Sequence, residues 1–283
     1  MTSTIGIDIG GTKTHVVRLT DGVVDAETRV QTPPEPPVSP SVLAAVRSVW
    51  SPGVKAVGAG IAGLVDTDAG RFVWGPHVAG TDVPVRAQLE GEFGLPAVVD
   101  NDVNAAAWGE MKVGAGFGYR HVLFVTLGTG IGGAIVTDGE VHRGAGFAGE
   151  FGHVRFEPGG PPCECGRSGC WETVASGPAL ERLARDHIAA NPEGTLAARL
   201  DGDIDGETVT EAALDGDESA AALVARVGAD FGRGLCDLIA VLDPEIIVVG
   251  GGLGSVGDLV LDPARTVVAE ELHGLPHLSL IHI

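Results

Sequence analysis

The sequence predicts an α/β fold in two lobes with a cleft between them, and two patterns support this prediction. Short apolar segments of strand length alternate with longer segments of helical periodicity, an order that fits neither an all-β nor an all-helical protein. A strand, a turn rich in glycine and threonine, and a second strand also occur once in each half of the chain. This weak repeat predicts a duplicated domain. The glycine-rich break at 114–118 divides the lobes into residues 1–117 and 118–283.

The first half predicts strands joined by tight turns, then strands alternating with helices. Apolar residues alternate at 4–9 and 14–19 around a Gly-Gly-Thr turn, and the proline-rich segment 33–40 links to a helix that Ser41 can cap. The predicted strands are 4–9, 14–19, 23–30, 55–62, 71–74 and 97–100, and the predicted helices are 41–50 and 103–111.

The second half repeats the opening motif and then becomes mainly helical. Residues 121–127 and 131–137 predict strands on either side of Gly128-Thr129-Gly130. The remaining predicted elements are helices at 177–190, 207–214 and 217–242, a strand at 246–249, and a helix that follows Gly250-Gly251-Gly252 and runs to about residue 272.

The charge balance excludes several classes of partner. The 283-residue chain has 18 Lys and Arg residues against 38 Asp and Glu residues, a net charge of −20, which disfavours binding to nucleic acid or to anionic lipid. No apolar run approaches the roughly 20 residues that span a bilayer. We therefore expect a cytoplasmic protein. Only three lysines are present, which together with the acidity indicates a halophilic source, although a high-GC genome also replaces lysine with arginine.

Three glycine turns are candidate phosphate sites, because backbone N–H groups can converge on an anion where no side chain blocks the approach. The first turn is Asp8-Ile9-Gly10-Gly11-Thr12-Lys13, in which Asp8 can meet a metal ion. The second contains Thr129 and Gly130, and the third contains Gly251 and opens a helix, whose N-terminus favours anions. Any one of these could be an ordinary turn, but three in this order favour a nucleotide site.

His153, Cys163, Cys165 and Cys170 form the pattern H-x9-C-x-C-x4-C. Three thiolates and one imidazole suit a closed tetrahedral structural zinc ion. The alternatives are a disulfide or inert thiols, and an acidic cytoplasmic chain disfavours the disulfide. The other cysteine, Cys236, lies in an apolar helical segment and is predicted to be buried.

Asp100-Asn101-Asp102 lies where a strand meets a helix, a position at which α/β proteins bind ligands. Asp and Asn are also preferred helix caps, so capping alone could explain them. The functional interpretation is that Asp102 accepts a proton from a substrate hydroxyl while Asn101 binds a neighbouring one. Glu150 and Glu172 flank the cysteine cluster, which could place both carboxylates in one polyol pocket.

These motifs resemble the ROK family of sugar kinases and repressors, in particular its ATP-dependent glucokinases. The motifs occur in the family's order and cover nearly the whole chain. They are DIGGTK at 8–13, GAGIAGLVD at 58–66, DNDVNAA at 100–106, LGTGIGG at 127–133, EFGH at 150–153, CECGRSGCWE at 163–172 and GGGLG at 250–254.

The resemblance implies an actin/hexokinase-like (ribonuclease H-like) duplicated fold that binds a sugar, ATP and Mg²⁺, contains a structural Zn²⁺, and forms a homodimer or homotetramer. It makes Asp102 the catalytic base. The implied sugar contacts are Gly63, Asn101, Asp102, Glu150, His153 and Glu172. The implied nucleotide contacts are Gly10, Gly11, Thr12, Thr129, Gly130 and Gly251, and the composition of the first turn adds Asp8 and Lys13. The implied zinc ligands are His153, Cys163, Cys165 and Cys170.

The sequence departs from the family pattern at two places. His77 replaces an asparagine that is usual near the sugar loop, which affects the expected substrate preference unless His77 is simply a surface residue. Family members also continue into a final helix, whereas this chain ends in the apolar, strand-like segment 278–283. We therefore expect a C-terminal truncation.

Glucose is the expected phosphoryl acceptor, and other family kinases that act on fructose, N-acetylglucosamine or N-acetylmannosamine remain alternatives. A transcriptional repressor would carry a DNA-binding segment before the kinase-like part, but the first predicted strand begins at Thr4 and the charge opposes DNA binding. A sugar sensor without catalysis is a third alternative, which the presence of Asp102 and all three glycine turns disfavours.

Overall fold

The computed structural model describes residues 2–199, 204–272 and 279–282 of the chain. Contacts within the chain divide it into two compact units. The first comprises Met1–Gly109 and Arg143–Phe147, and the second comprises Glu110–His142 and Ala148–Ile283.

The strands are Ser3–Ile9 (β1), Lys13–Thr20 (β2), Val23–Gln31 (β3), Val54–Ile61 (β4), Leu64–Asp66 (β5), Arg71–Trp74 (β6), Ala97–Asn101 (β7), Val122–Leu127 (β8), Ile131–Thr137 (β9), Glu140–His142 (β10), Ile246–Gly250 (β11) and Ser279–His282 (β12). The α-helices are Pro40–Ser48 (α1), Val85–Phe93 (α2), Asp102–Val113 (α3), Gly177–Ala190 (α4), Thr195–Arg199 (α5), Gly206–Leu214 (α6), Glu218–Leu242 (α7) and Asp258–Glu271 (α8).

The two large sheets have the same topology. The first has the strand order β3-β2-β1-β4-β7 and the second has β10-β9-β8-β11-β12. In each sheet, the three strands that come first in sequence are antiparallel neighbours (β1–β3 and β8–β10). Two further strands are then added in parallel, beginning beside the first strand of that sheet. The duplicated α/β domain predicted from the repeat is therefore confirmed, and each glycine turn predicted from that repeat joins the first two strands of its sheet.

Apolar burial explains the position of each sheet. Ile5, Ile7 and Ile9 alternate along β1 and are buried in the core of the first unit. Every residue of β11 is buried, as expected for a parallel strand covered on both faces. Trp171 is 2% exposed and stacks on Phe231 of α7, with ring centroids 5.4 Å apart.

Several elements differ from the sequence-based prediction. Helix α1 is capped by Ser39, not Ser41, because the Ser39 side chain accepts a hydrogen bond from the N–H of Val42 and Pro40 occupies the first turn. The elements β5, β10 and α5 were not predicted, since they carry too few residues for a clear period. Helix α2 was also missed although it is as long as α1, and no side chain caps its N-terminus.

The region after the third glycine turn also differs from its prediction. A 3₁₀ turn, Gly254–Val256, separates the glycines from α8, so they do not open that helix directly, and the first turn of α8 carries Asp258. The third turn therefore lacks the helix N-terminus that was expected to favour an anion there.

The C-terminal segment contains the short strand β12, which pairs in parallel with β11. Its flanking residues 278 and 283, part of the segment predicted to be strand-like, lie outside the described residues. None of the helices in the described part of the chain combines the length and the apolar character needed to cross a membrane.

Candidate active site and metal centre

The turn between β1 and β2 forms the first candidate phosphate site. The N–H of Gly10 donates to the carbonyl of Lys13 at 3.1 Å and closes the turn. Gly11, Thr12 and Lys13 are exposed. A Cβ atom on Gly11 would overlap the side chain of His77. The residue that departs from the family pattern therefore lies directly against this turn.

Asp8 lies near the end of β1, just before the turn. Its carboxylate is accessible to solvent, yet enough protein surrounds it that burial raises its pKa, an effect that His15 partly offsets. A carboxylate whose ionised form is disfavoured in this way gains from a bound cation. On this observation, Asp8 fits the role of a magnesium ligand.

Asp100, at the end of β7, is the centre of a hydrogen-bond network in the first unit. Its Oδ2 accepts from Nε and Nη2 of Arg143 at 2.9 and 2.6 Å, and its Oδ1 accepts from the hydroxyl of Thr67 at 3.2 Å. The Asp100 side chain is 16% exposed, and an arginine that donates twice to a shielded carboxylate fixes both groups. This network holds the part of β7 that comes immediately before Asn101 and Asp102.

The Asn101 side chain caps a helix with its oxygen and contacts a second candidate site residue with its nitrogen. Its Oδ1 accepts hydrogen bonds from the N–H groups of Val103 and Asn104 at 2.9 and 3.0 Å, so it caps α3. Its Nδ2 donates to the carbonyl of Gly63 at 3.1 Å, and the second N–H of this amide is not used in that bond. The structure therefore brings Asn101 and Gly63 together.

Gly63 and Asp102 are the two neighbours of Asn101 in this site. Gly63 accepts its hydrogen bond, and Asp102 follows it in the chain. Gly63 has a φ of +133°, and a Cβ atom there would lie 2.6 Å from the carbonyl oxygen of Trp74, so only glycine fits. Asp102 is the first residue of α3, where the helix dipole stabilises a carboxylate.

The turn between β8 and β9 lies beside the third glycine turn in the second unit. The N–H of Gly128 donates to the carbonyl of Gly130 at 3.0 Å, which leaves Thr129 exposed at the tip. Gly251 has a φ of +91°, and a Cβ atom there would lie 2.6 Å from the carbonyl oxygen of Leu127. Two of the three predicted phosphate turns therefore form one surface.

The segment 149–153 packs directly on β9 through glycine contacts. Cβ atoms on Gly149 and Gly152 would collide with the carbonyl oxygens of Gly133 and Ile131, and one on Gly133 would collide with the ring of Phe151. These contacts determine where Glu150 and His153 lie. No sequence pattern indicated this role for the glycines, because the contact joins residues about 20 positions apart.

The two ring nitrogens of His153 face different partners. Nδ1 lies 3.5 Å from Sγ of Cys163 and 3.1 Å from Oε1 of Glu172, whereas Nε2 lies 4.0 Å from Oε2 of Glu150. Burial raises the pKa of Glu150. Burial acts in the same direction on Glu172, but hydrogen bonds from His153 and Cys163 bring its pKa below the usual value. The two carboxylates predicted to share a pocket therefore flank one histidine.

The four predicted metal ligands meet at one point. One ligand atom from each of His153, Cys163, Cys165 and Cys170 lies within 4.8 Å of the others, and the Sγ atoms of Cys165 and Cys170 are 3.6 Å apart. Ligands about 2.1–2.3 Å from a tetrahedral zinc ion are separated by roughly 3.5–3.8 Å. The donor set and its spacing therefore fit a structural zinc ion.

The protonation of the thiols is consistent with metal binding. Burial tends to raise the pKa of Cys165, but a hydrogen bond from Nε of Arg167 at 3.4 Å helps to lower it to about 6. Burial raises the pKa of Cys163 and of Cys170, so a bound cation is needed to hold them as thiolates. Cys236 is buried away from the cluster, as predicted, and burial raises its pKa to about 11.

Comparison with known proteins identifies the family of this chain. Residues 4–282 match the profile of the ROK family. The chain belongs to the ROK family. It is 41% identical to a glucokinase of Streptomyces coelicolor over 276 residues, which cover 93% of this chain and 86% of that protein. It is 33% identical to an N-acetylmannosamine kinase of Escherichia coli, with 99% and 92% coverage.

A solved structure extends this similarity to the fold. A ROK family glucokinase from Streptomyces griseus, crystallised with glucose and AMPPNP, matches with a TM-score of 0.88 and 40% identity, covering 99% of this chain and 94% of that chain. Together with the repeated sheet order, this match confirms the actin/hexokinase-like fold.

Sequence reasoning missed Arg143 and Thr67, the partners of Asp100. Arg143 is separated from Asp100 by 43 residues, and a single arginine before a glycine-rich segment has no distinctive pattern. The signal that could have found it was chemical, because an aspartate placed before two predicted functional residues in a cation-poor chain calls for a cationic partner.

We expect Cys170→Ser to remove bound zinc and to lower the midpoint of thermal unfolding, because it deletes one of four metal ligands. Cys236→Ser is the matched control, since it removes a buried thiol outside the cluster and should leave one zinc ion per chain. Elemental analysis of both purified variants measures this difference. Full zinc occupancy in Cys170→Ser would exclude the proposed ligand set.

We expect Asp8→Asn to increase the free energy of unfolding at pH 7. The raised pKa means that the folded state binds the Asp8 proton more tightly than the unfolded state, so this group's contribution to stability falls as pH rises above 3.8. Removing its charge eliminates that loss. Asp82→Asn is the opposite control, because its hydrogen bond with Arg71 lowers the pKa of Asp82 and its removal should destabilise the protein. Urea unfolding of both variants at pH 7 and fixed salt tests the two signs, and a less stable Asp8→Asn protein would contradict the expectation.

Proposed function

We propose that this protein is an ATP-dependent glucokinase that converts glucose and ATP to glucose 6-phosphate and ADP. The observation that carries the proposal is the similarity to the Streptomyces griseus glucokinase, whose complex contains both glucose and an ATP analogue and whose chain matches this one almost from end to end. The placement of the motif residues in each unit supports it.

Asp102 acts as the general base in this proposal. Its carboxylate takes the proton of the sugar 6-hydroxyl as that oxygen forms a bond to the γ-phosphorus, while the bond from phosphorus to the β,γ-bridging oxygen breaks and ADP leaves. The Asp100–Arg143 pair fixes the chain just before Asp102, and the cap formed by Asn101 fixes the chain just after it. The remaining N–H of the Asn101 amide can donate to a sugar hydroxyl.

Glu150, His153 and Glu172 bind the other sugar hydroxyls. Nδ1 of His153 lies among the cysteine thiols and Nε2 points toward Glu150, so one imidazole can ligate zinc and donate to the sugar. The zinc ion holds the folded shape of this segment, because a closed set of four protein ligands has no open position for water or substrate. The sugar site therefore depends on a metal that takes no part in the transfer.

The glycine turns bind the nucleotide. The exposed N–H groups and hydroxyls of Thr12 and Thr129 can bind the phosphates, and Gly251 keeps the third turn close to the second. A magnesium ion held through Asp8 would neutralise charge that develops on the transferred phosphoryl group. Pre-positioned donors then stabilise the transition state without further reorganisation.

For the acceptor sugar, one specific alternative to glucose exists. The similarity to an N-acetylmannosamine kinase extends over nearly the whole of both chains, and all the motif residues would serve that reaction as well. His77, which lies against the first glycine turn, is the departure that could alter acceptor preference.

The family resemblance also leads us to propose a homodimer or homotetramer in the cytoplasm. Sedimentation equilibrium in molar KCl tests the oligomeric state, and a monomer at micromolar concentration would contradict it. Fractionation of the source cells tests the location.

We expect Asp102→Asn to reduce kcat by at least about 10²-fold while changing the KM for glucose only a few-fold, because the amide cannot accept the proton but keeps its shape. Asp138→Asn, an equivalent change at an exposed turn, should retain wild-type turnover. The assay couples glucose-dependent ADP formation to a spectroscopic readout in molar KCl.

The same assay across a panel of hexoses tests the substrate, and glucose should show the highest kcat/KM. A preference for another hexose would retain the mechanism and replace glucose as the acceptor. No turnover with any sugar, from wild-type protein that is folded and contains zinc, would contradict the kinase assignment.

A further inference from the structure

The segment Glu172–Gly177, here called the strap, connects the metal cluster to the second glycine turn. It begins two residues after the zinc-ligand candidate Cys170 and ends at the first residue of α4. Both of its ends contact the turn between β8 and β9, and these contacts lie within the second unit.

At its first end, the strap contacts the turn through the Glu172 carboxylate. Oε1 lies 3.1 Å from Nδ1 of His153 and 3.1 Å from Sγ of Cys163. Oε2 lies against the turn, since a Cβ atom on Gly130 would be only 2.8 Å from it. The backbone N–H of Ile131 also donates a hydrogen bond to this carboxyl group. One side chain therefore touches both the cluster and the turn.

At its second end, the strap contacts the turn through its backbone. The N–H of Gly177 donates to the carbonyl of Gly128 at 2.8 Å, and a Cβ atom on Gly177 would lie 3.1 Å from that same oxygen. Gly128 and Gly130, on either side of Thr129, are thus both held by the strap.

The strap is itself anchored in the core. Trp171, which precedes it, is 2% exposed and donates from Nε1 to the carbonyl of Asp230 at 3.2 Å. Nη2 of Arg182 donates to the carbonyl of Thr173 at 2.9 Å. Because the strap is fixed at the core and at the metal cluster, the turn is held against a rigid support.

We propose that Glu172 is a positioning residue for the nucleotide, in addition to its role at the sugar, and that the strap holds the phosphate turn at Gly130 through the Glu172 carboxylate and at Gly128 through the Gly177 backbone. The inference rests on the proposed function, since it assigns the turn at Gly128–Gly130 to the nucleotide. Backbone N–H groups bind phosphate well only when they are already aimed at it, and the strap supplies that orientation.

The test measures nucleotide affinity in the absence of sugar. Isothermal titration with Mg-AMPPNP should give a Kd for Glu172→Ala about tenfold higher than for wild type, because both contacts of the carboxylate are lost. Glu172→Gln keeps the size and the acceptor oxygen, so it should restore the Kd to within about threefold of wild type. Glu150→Ala is the matched control. It removes a carboxylate on the other side of His153, and it should weaken glucose binding without changing nucleotide affinity.

Zinc content is measured on every variant so that proteins with equal metal are compared. If Glu172→Ala loses zinc, Cys165→Ser provides a zinc-depleted reference that retains Glu172, and the proposal requires Glu172→Ala to bind nucleotide more weakly than that reference. Unchanged nucleotide affinity in Glu172→Ala, or an equal loss in Glu150→Ala, overturns the inference and leaves the proposed function intact. A wild-type protein that neither binds Mg-AMPPNP nor phosphorylates sugar overturns both.

Discussion

The close backbone approach between β9 and the segment 149–153 is the constraint on which the second unit's site depends. Gly149 and Gly152 lie against the carbonyl oxygens of Gly133 and Ile131, where no side chain would fit. Through this contact, the strand that follows the proposed phosphate turn is fixed to the residues that we propose as a zinc ligand and two sugar contacts. The metal cluster then closes the arrangement from the other side. In this account, the proposed sugar, nucleotide and metal sites of the second unit all depend on a few glycines, whose role is to leave space for the neighbouring backbone.

The duplicated sheet explains why the proposed phosphate turns occur where they do. In each unit a hairpin joins the first two strands, and two parallel strands are then added on the other side of the first strand. In the first sheet the outer added strand, β7, ends at the candidate residues Asp100 and Asn101, whereas in the second sheet the inner added strand, β11, is followed directly by Gly251. The surroundings of the two hairpin turns differ between the units. The first turn packs on His77, whereas the second is held by the strap.

Much of this arrangement could be predicted from local patterns. The strand–turn–strand repeat, the metal spacing and the burial of Cys236 each depend on residues close together in sequence, and the structure confirms the elements that they predict. The features that were missed depend on distant contacts. Arg143 pairs with Asp100 across 43 residues, and Gly133 meets Phe151 only after the chain returns to β9. The cap of α1 was misassigned by two residues because Ser39 and Ser41 both satisfy the local preference and Pro40 decides between them.

The most direct test of this steric constraint is a joint measurement on Gly152→Ala, whose added methyl group would collide with the carbonyl oxygen of Ile131. Zinc content, glucose affinity and Mg-AMPPNP affinity should be determined on one preparation, with Gly91→Ala as the control, since a Cβ atom at Gly91 meets open space. We predict that Gly152→Ala lowers all three together, each affinity by about tenfold or more, while Gly91→Ala leaves them unchanged. A Gly152→Ala protein that loses only one of the three, or none, would contradict the dependence of all three functions on this contact.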